Sequence, residues 1–280
     1  METPANIDAS GKLASLEEWL RERGRVAVAF SGGVDSSFLL AKAVEVLGAA
    51  NVLAVTARSV LAPAFELQRA EWFCEDHGVR QLVVDVDPLS HDEVRGNGRM
   101  RCYHCKRGIF SLAMQAAKAE GFDMLADGTN LDDDGDYRPG AKALAELGVQ
   151  SPLRDVSMTK DDIRELSRDM GLSMWDAPSC ACLATRVEYG TPLCPDVLKR
   201  IDEAEDYLRK LDFDPVRVRV HGDVARIEVG RTQIARLADP ATRLEVTARM
   251  KQLGFVYVCA DLEGFRSGSM NETIEGGSHA

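Results

Sequence analysis

One stretch near the N-terminus constrains the fold of this chain more than any other. The apolar residues 26–30 precede the sequence SGGVDSS at positions 31–37, and a helical pattern of apolar residues then runs to Leu47. A strand, a Gly-Gly turn and a helix in this order bring unpaired backbone N–H groups and a helix N-terminus to one point, which favours an anion. We therefore predict a phosphate-binding loop at residues 31–37.

The side chains of this loop refine the prediction. Gly32 and Gly33 allow a tight turn and a close approach of the backbone to a ligand. Small hydroxyl donors stand at three positions: Ser31, Ser36 and Ser37. Asp35 would repel a bare phosphate, so its presence predicts a Mg²⁺ ion that bridges its carboxylate to phosphate oxygens. An ordinary strand-to-helix turn is the alternative interpretation.

This loop differs from the GxxxxGK[ST] type of phosphate loop, because no lysine follows its glycines. It resembles instead the SGGxDS loop of the PP-loop ATP pyrophosphatase superfamily. The resemblance implies that the chain cleaves ATP to AMP and pyrophosphate and adenylates a substrate. It also implies that ATP and Mg²⁺ are cofactors.

Composition narrows the class of protein. The chain has 280 residues, of which 45% are hydrophobic and 28% charged, as in an ordinary globular protein with a large core. Its formal net charge of −11 argues against a nucleic-acid partner, because binding to phosphate backbones needs a basic face. No stretch approaches the roughly 18 apolar residues of a membrane span. We expect a cytoplasmic protein whose cysteines are reduced thiols, metal ligands or reactive groups.

The first half of the chain alternates between strand-like and helical segments. Strand-like runs lie at 26–30, 52–56, 81–86 and 123–126, and helical runs lie at 36–47, 64–77 and 102–120. This alternation predicts an α/β fold in which helices cover both faces of a parallel sheet, with ligands at the carboxyl ends of the strands. The PP-loop resemblance implies an adenine nucleotide α-hydrolase-like domain in which two such loops flank the adenosine of ATP. Their residues are Arg58, Ser59, Gly128 and Thr129.

An irregular segment at 175–178 predicts a domain boundary. We expect a PP-loop domain at 1–176, a smaller C-terminal α+β domain at 177–265, and a disordered tail at 266–280. The α+β pattern consists of a helix at 195–211, a hairpin of strands 216–220 and 224–229, a helix at 240–253 and a strand at 255–260.

A cluster of cysteines follows this boundary. Cys180 and Cys182 are separated by one residue, and Cys194 follows closely. Such neighbours do not readily form a disulfide with each other, but both can bind one metal centre. Three thiolates suit an iron–sulfur cluster with one open iron, or a zinc ion with one open position. Unrelated loop cysteines are the alternative.

Several short motifs narrow the resemblance to one family. Besides SGGVDSS they are RCYHCK at 101–106, DGTN at 127–130, RPG at 138–140, SPL at 151–153 and ACLA at 181–184. In this order they resemble the LarE family of ATP-dependent sulfur transferases. The resemblance implies that ATP adenylates a carboxylate of pyridinium-3,5-biscarboxylic acid mononucleotide and that sulfur then displaces AMP, in biosynthesis of the nickel-pincer nucleotide cofactor of lactate racemase. It also implies a homo-oligomer, such as a hexamer built from three dimers.

The resemblance also bears on the source of the sulfur. In family members with a single cysteine in the ACLA motif, the sulfur of that cysteine leaves with the product and dehydroalanine remains. Cys182 is the matching residue, but this chain also carries Cys180 and Cys194 and is similar to the branch whose three cysteines hold a [4Fe-4S] cluster. The resemblance thus implies transfer through a cluster on these cysteines, supplied by a sulfide donor, with single-use chemistry at Cys182 as the alternative.

The substrate of such an enzyme is anionic, so its site requires cations. Arg217 and Arg219 alternate with valines along a predicted strand, and Arg226 follows across the turn. Two guanidinium forks at this spacing can clamp a phosphate. The resemblance implies that Arg217, Arg219 and Glu228 form the substrate phosphate site. A strand face decorated with solvent-exposed charges is the alternative.

The remaining cysteines have several interpretations. Cys102 and Cys105 form a CxxC pair at a predicted helix start, where the helix terminus and nearby cations favour thiolates. Core packing, a redox or sulfur relay, and a zinc site with His104 and His91 all fit this pair. Cys74 and Cys259 lie in helical and strand patterns, and we expect both in the core.

Three other functions fit the phosphate loop. A tRNA thiolase would also combine ATP with cysteines, but the acidic balance and the lack of an RNA-binding segment before residue 25 disfavour it. An ATP-binding sensor would hold the nucleotide without turnover, and release of pyrophosphate would distinguish the enzyme from the sensor. An amidotransferase-type synthetase would not need the cysteines at 180–194.

Overall fold

The structure is a computed structural model and describes residues 8–135, 139–177 and 181–266. The chain forms two compact units. The first consists of Met1–Ser59, Ala64–Pro88 and Cys102–Cys180, and the second of Val60–Pro63, Leu89–Arg101 and Ala181–Ala280. The domain boundary at residue 176 stays a prediction, because compactness alone does not define an independently folding domain. The predicted tail lies outside the described residues except for Arg266.

The secondary structure follows the predicted alternation closely. The α-helices are α1 (Ala9–Arg23), α2 (Val34–Leu47), α3 (Ala64–Asp76), α4 (Asp92–Arg95), α5 (Arg101–Ala119), α6 (Pro139–Leu147), α7 (Pro152–Asp155), α8 (Lys160–Asp169), α9 (Pro195–Lys210), α10 (Ile234–Ala238) and α11 (Pro240–Gln252). The strands are β1 (Val26–Ala29), β2 (Val52–Arg58), β3 (Arg80–Asp85), β4 (Leu125–Ala126), β5 (Val216–His221), β6 (Val224–Val229) and β7 (Tyr257–Ala260). The short helices α4, α7 and α10 were not predicted, because segments of four or five residues carry too little periodicity.

The first unit is built on a parallel sheet with the strand order β3-β2-β1-β4. Alternate residues of β1 face opposite sides of this sheet, as the pleat requires. Val28 belongs to a buried cluster with Phe38 of α2 and Ile163 of α8. Ala27 belongs to a different cluster with Ala117 of α5. The predicted parallel sheet with helices on both faces is therefore confirmed.

The start of α8 is fixed by a capping box. The Asp162 backbone N–H donates to Thr159 Oγ1 at 3.2 Å, and the Thr159 N–H donates to Asp162 Oδ2 at 2.8 Å. These bonds satisfy donors that the first helical turn leaves unpaired. They also fix Lys160 as the first residue of α8.

The second unit contains a three-stranded sheet with the order β5-β6-β7. The predicted hairpin is confirmed, since β5 and β6 are antiparallel and pair Arg217 with Glu228 and Arg219 with Arg226. Gly222 in the turn has a φ of 59°, which favours glycine. β7 pairs in parallel with β6, and α10 and α11 lie between them in the chain.

The expectation that Cys259 lies in the core is wrong. β7 is the edge strand of its sheet, and Cys259 is exposed there. Cys74 is buried as expected, and burial raises the pKa of its thiol to about 12. Among the described residues, no helix combines the length and apolar character that crossing a membrane requires.

Candidate active site

The loop at residues 31–37 joins β1 to α2, and its backbone lies against α3. Gly32 has a φ of 71°, and a Cβ atom at this position would lie 3.2 Å from the backbone N of Ala70 and 3.2 Å from the carbonyl oxygen of Glu66. Both the left-handed backbone and the close approach require glycine here. Gly33 is the N-cap of α2 and has no side chain to bond the free N–H groups of the first turn. Those groups stay available to an anion.

The serines of the loop differ in their surroundings. Ser31 Oγ lies 3.3 Å from Ser36 Oγ, and Ser36 Oγ donates to the Gly33 carbonyl at 3.2 Å. Ser37 is fully buried, and its N–H donates to the same carbonyl at 3.0 Å. Ser31 and Ser36 therefore hold the turn together, whereas Ser37 packs inside the unit.

Only one of the two carboxylate oxygens of Asp35 has a hydrogen-bond partner among the described residues. Its Oδ2 accepts a hydrogen bond from Lys160 Nζ at 2.5 Å, which is also an ion pair. Its Oδ1 is buried and has no hydrogen-bond partner within the part of the chain that the structure describes. A carboxylate oxygen without a partner is the type of ligand that Mg²⁺ takes. Asp35 therefore fits the predicted ion, and Lys160 is a neighbour of this site that the sequence analysis missed.

The loop after β4 closes against the phosphate loop. A Cβ atom on Gly128 would lie 2.8 Å from the backbone N of Ser36, a distance that real Cβ atoms essentially never show. The buried Asp127 holds this loop in place: its carboxylate accepts the Thr129 hydroxyl at 2.5 Å and the Ser151 hydroxyl at 2.8 Å. The predicted residue Gly128 thus meets the phosphate loop, and Asp127 holds its neighbour Thr129.

The loop after β2 has a different environment. Arg58 is largely exposed at the end of β2, and its Nε and Nη2 donate to the carboxylate of Asp85 at 2.5 and 2.7 Å. The hydrogen bond from Arg58, reinforced by its charge, lowers the pKa of Asp85. Arg58 therefore has an acidic partner at the carboxyl edge of the sheet, where the sequence placed it. Ser59 follows it directly.

The second unit carries the cysteine loop. Cys182 is half-buried and occupies the position directly before a single 3₁₀ turn, Leu183–Arg186. Cys194 is exposed and occupies the position directly before α9. Cys180 lies outside the described residues. Within the described ranges, no group of three or more His, Cys, Asp or Glu side chains is arranged to hold a metal ion. The described residues therefore do not by themselves complete the ligand set of the predicted cluster.

A buried ion pair supports this loop. Arg186 and Glu205 are both buried, with Arg186 Nε donating to Glu205 Oε1 at 2.8 Å and Nη2 to Oε2 at 3.1 Å. Burial alone would raise the pKa of Glu205, but the charge and hydrogen bonds of Arg186, the charge of Arg217 and the N–H of Val218 together hold it below its usual value. Glu205 is therefore a buried carboxylate anion.

Neither Arg186 nor Glu205 was predicted as functional. One signal could have found the pair: Glu205 stands four residues after Ile201 and three before Leu208, within the buried stripe of α9. A carboxylate at such a position is almost never fully buried unless it is paired.

The arginines of β5 are also buried. Arg219 donates from Nε and Nη2 to the two carboxylate oxygens of Glu228 at 3.1 and 3.0 Å, and from Nη1 to the carbonyl of Thr185 at 2.9 Å. Arg217 lies over the ring of Phe265 at 5.2 Å. The alternative of a solvent-exposed charged face is wrong, because Arg217 and Arg219 are 6% and 5% exposed.

The predicted CxxC pair lies in the first turns of α5. Cys102 and Cys105 are both half-buried. Between them, Tyr103 donates its hydroxyl to Glu146 at 2.6 Å and meets the ring of His104 edge-on at 5.2 Å.

The SGGVDSS sequence of the loop between the first strand of a parallel sheet and its helix, closed by the loop of a neighbouring strand, places this α/β protein in the PP-loop class. The NAD synthase family model matches residues 12–98, which include this loop. The chain is 39% identical to pyridinium-3,5-bisthiocarboxylic acid mononucleotide synthase of Lactiplantibacillus plantarum over 94% of its own length and 95% of that protein. It therefore belongs to the family of this synthase, the LarE family, which confirms the resemblance.

Two further relatives show how far the similarity extends. An uncharacterized protein of Synechocystis sp. is 36% identical over 94% of this chain and 98% of its own length. Argininosuccinate synthase of Haloquadratum walsbyi is 30% identical, but over only 53% of this chain and 40% of its own length. The similarity to the second protein is thus partial, whereas the first matches along nearly the whole chain.

Replacement of Gly128 with alanine should weaken ATP binding. The methyl group would overlap the backbone at Ser36, so one of the two loops must shift. We expect the Kd for ATP to rise about tenfold or more, equivalent to about 1.4 kcal/mol, in isothermal titration calorimetry. Gly98→Ala is the matched control, since a Cβ there meets no atom within 4 Å. An unchanged Kd for Gly128→Ala would show that ATP does not need this contact.

Replacement of Glu205 with glutamine should destabilise the protein in a pH-dependent manner. It leaves the buried charge of Arg186 without its counterion, at a cost of about 3 kcal/mol near neutral pH. Because folding lowers the pKa of Glu205 from its ordinary value of 4.5, its stabilisation is complete above 4.5 and is lost as the pH falls through the folded-state pKa. Urea unfolding of both proteins should therefore give a difference that shrinks in acid. A difference that stays constant would contradict a charged Glu205.

Proposed function

We propose that this chain is an ATP-dependent sulfur transferase that acts on pyridinium-3,5-biscarboxylic acid mononucleotide. It adenylates the carboxylates of this small nucleotide and replaces oxygen with sulfur, in biosynthesis of the nickel-pincer nucleotide cofactor of lactate racemase. The observation that carries the proposal is the 39% identity, over 94% of the chain, to a protein named as the synthase of the bisthiocarboxylic product. The phosphate loop of the first unit supports the use of ATP.

The first half-reaction is adenylation. A carboxylate oxygen of the substrate attacks the α-phosphorus of ATP, and the bond to pyrophosphate breaks, so that pyrophosphate leaves with the electron pair. The N-terminal N–H groups of α2 and the glycines Gly32 and Gly33 would hold the phosphates. Arg58, Ser59, Gly128 and Thr129 would flank the adenosine. When bound to Asp35, Mg²⁺ would supply positive charge against the phosphates.

Lys160 adds a second cation to this half-reaction. Its ammonium group already lies 2.5 Å from the Asp35 carboxylate, beside the start of α2. A lysine is a compact point charge on a flexible stem, which can turn from a carboxylate toward a phosphate oxygen. Its position supports a role in neutralising the triphosphate.

The second half-reaction is sulfur transfer. A nucleophilic sulfur attacks the carbonyl carbon of the acyl-adenylate, and the bond to AMP breaks, with AMP leaving as the anion. We propose that Cys180, Cys182 and Cys194 hold a [4Fe-4S] cluster, which when bound would supply a sulfide taken from a separate donor. In the alternative, Cys182 itself attacks, its Cβ–S bond then breaks with loss of the Cα proton, and dehydroalanine remains.

The substrate phosphate is proposed to bind near β5. Arg217 and Arg219 supply the cations, and Glu228 fixes one of them by accepting both arms of the Arg219 fork. This arrangement orients a guanidinium before any anion arrives, which reduces the entropy lost on binding. We also propose that the enzyme is a homo-oligomer.

The activity can be tested with Mg²⁺, ATP and the biscarboxylic mononucleotide under anaerobic conditions. We expect pyrophosphate release coupled to formation of the thiocarboxylate, followed by mass spectrometry. Asp35→Asn should slow pyrophosphate release roughly a hundredfold, because charge stabilisation at the phosphates is lost. Asp123→Asn is the matched control, as this aspartate is exposed in the same unit. Binding of ATP without pyrophosphate release would instead indicate a sensor, and thiolation of tRNA in place of the mononucleotide would indicate a tRNA thiolase.

The source of sulfur can be tested by iron and sulfide analysis of protein purified without oxygen. A [4Fe-4S] centre requires about four irons and four sulfides per chain. We expect Cys180→Ala, Cys182→Ala and Cys194→Ala to lose them, while Cys259→Ala, at an exposed cysteine of β7, retains them. If Cys102→Ala or Cys105→Ala lost the iron and sulfide while Cys194→Ala retained them, the proposed ligand set would be wrong.

An iron-free wild type would instead indicate single-use chemistry. Mass spectrometry after one turnover should then find Cys182 lighter by one hydrogen sulfide. A sulfur-containing product without this loss, from iron-free protein, would contradict both routes.

A further inference from the structure

The carbonyl oxygens around Cys182 are held by arginine side chains. Arg186 Nη1 donates to the carbonyl of Ala181 at 2.7 Å and to that of Cys182 at 3.2 Å. Arg219 Nη1 donates to the carbonyl of Thr185 at 2.9 Å. The backbone is thus bound by a guanidinium directly before Cys182, at Cys182 itself and three residues after it.

The two guanidinium groups are fixed in the same manner. Each uses Nε and Nη2 to form a fork with a glutamate, and each turns Nη1 toward the loop. The glutamates, Glu205 and Glu228, are fully buried. Glu205 is itself held by the Val218 N–H at 3.0 Å and by Arg209 Nη2 at 2.9 Å. Burial and these hydrogen bonds restrict the two carboxylates, which in turn orient the arginines.

Stability alone is a poor reason for this arrangement. The cost of removing two charges from water offsets most of the free energy that their attraction provides. Proteins in which well-packed apolar residues of similar size replace such an ion pair are often equally stable or more stable. What apolar residues cannot do is bind a carbonyl oxygen at a defined point. We therefore interpret the two arginine–glutamate forks as a means of holding the backbone carbonyls of the loop at defined positions.

Lysine could not replace either arginine in this role. The planar guanidinium presents several N–H groups at fixed angles, so that one side of it bonds a carboxylate while another bonds a carbonyl. An ammonium group is a single point and cannot span both. The loop contact thus depends on the shape of arginine and not only on its charge.

We propose that Arg186 and Arg219 are positioning residues that hold the Cys182 backbone in the geometry needed for sulfur transfer. With the backbone held on both sides, the direction of the Cys182 Cα–Cβ bond is set, and only rotation about that bond, among a few staggered rotamers, moves the sulfur. The inference rests on the proposed function, in which Cys182 takes part in the second half-reaction. It also gives Arg219 a task beyond the substrate phosphate.

The experiment compares Arg186→Lys with Arg200→Lys in single turnovers, following pyrophosphate and thiocarboxylate in the same sample. Arg200 lies on α9 and donates from Nη1 to the carbonyl of Gly254 at 3.3 Å, so its lysine variant makes the same change of side chain at a different contact and serves as the matched control. For Arg186→Lys we expect pyrophosphate release within about twofold of wild type, and sulfur transfer slower by about a hundredfold, the effect of misplacing a reacting group by about an ångström. Arg200→Lys should behave like wild type in both steps.

A purely structural role predicts a different result. General destabilisation would lower both half-reactions together, so an equal loss of the two would overturn the inference. Sulfur transfer at the wild-type rate in Arg186→Lys would overturn it as well. A wild type that releases no pyrophosphate would count against the proposed function instead, so the two failures are distinct.

Alkylation by iodoacetamide gives a second readout that does not depend on turnover. Loosening of the loop in Arg186→Lys should change the rate of Cys182 modification several-fold, measured by peptide mass spectrometry, and leave the rate at Cys259 unchanged. Should Arg186→Lys fail to fold, Glu205→Asp, which shortens the carboxylate by one methylene and keeps its charge, provides the same comparison. Equal alkylation of Cys182 in wild type and variant would contradict a loop held by Arg186.

Discussion

The close approach of two loop backbones at Gly128 is the contact on which the first unit depends. β1 lies between β2 and β4, so the loops that leave the carboxyl ends of β1 and β4 are neighbours. No side chain fits between Gly128 and the backbone of Ser36, and Gly32 meets the backbone of α3 in a similar way. The phosphate loop is thus held between two other backbone segments. A loop fixed in this manner presents its N–H groups without further rearrangement when an anion binds.

The second unit is organised by charge and not by close backbone contact. Its hairpin and α9 place buried carboxylates, Glu205 and Glu228, opposite buried guanidinium groups. In a protein interior of low dielectric constant, the desolvation cost of each charged group is offset only because its partner is present. The result is a rigid polar frame around a short loop. The two units therefore fix their functional loops by different physical means, one steric and one electrostatic.

Part of this frame comes from far away in the sequence. The Leu183 N–H donates to the carbonyl of Leu61 at 2.8 Å, and Arg101 Nη1 donates to the carbonyl of Ala184 at 3.2 Å. Leu61 and Arg101 both belong to the second unit, although they precede its long segment Ala181–Ala280 by many residues. The sequence pattern did not indicate these two contacts, because local composition marks where regular structure stops and not which distant segments pack together.

The sequence by itself determined the local elements and the family. The strand-turn-helix around SGGVDSS, the capping residue Thr159 and the hairpin at Gly222 each follow from short-range backbone preferences, which a few neighbouring residues set. Only the tertiary structure decided the partners of the charged residues. The Asp35–Lys160 pair joins residues 125 apart, and Arg186 meets Glu205 only because α9 packs against the turn Leu183–Arg186. Ion pairs of this kind are set by packing in three dimensions, since charge alone does not select which of many opposite charges will be the neighbour.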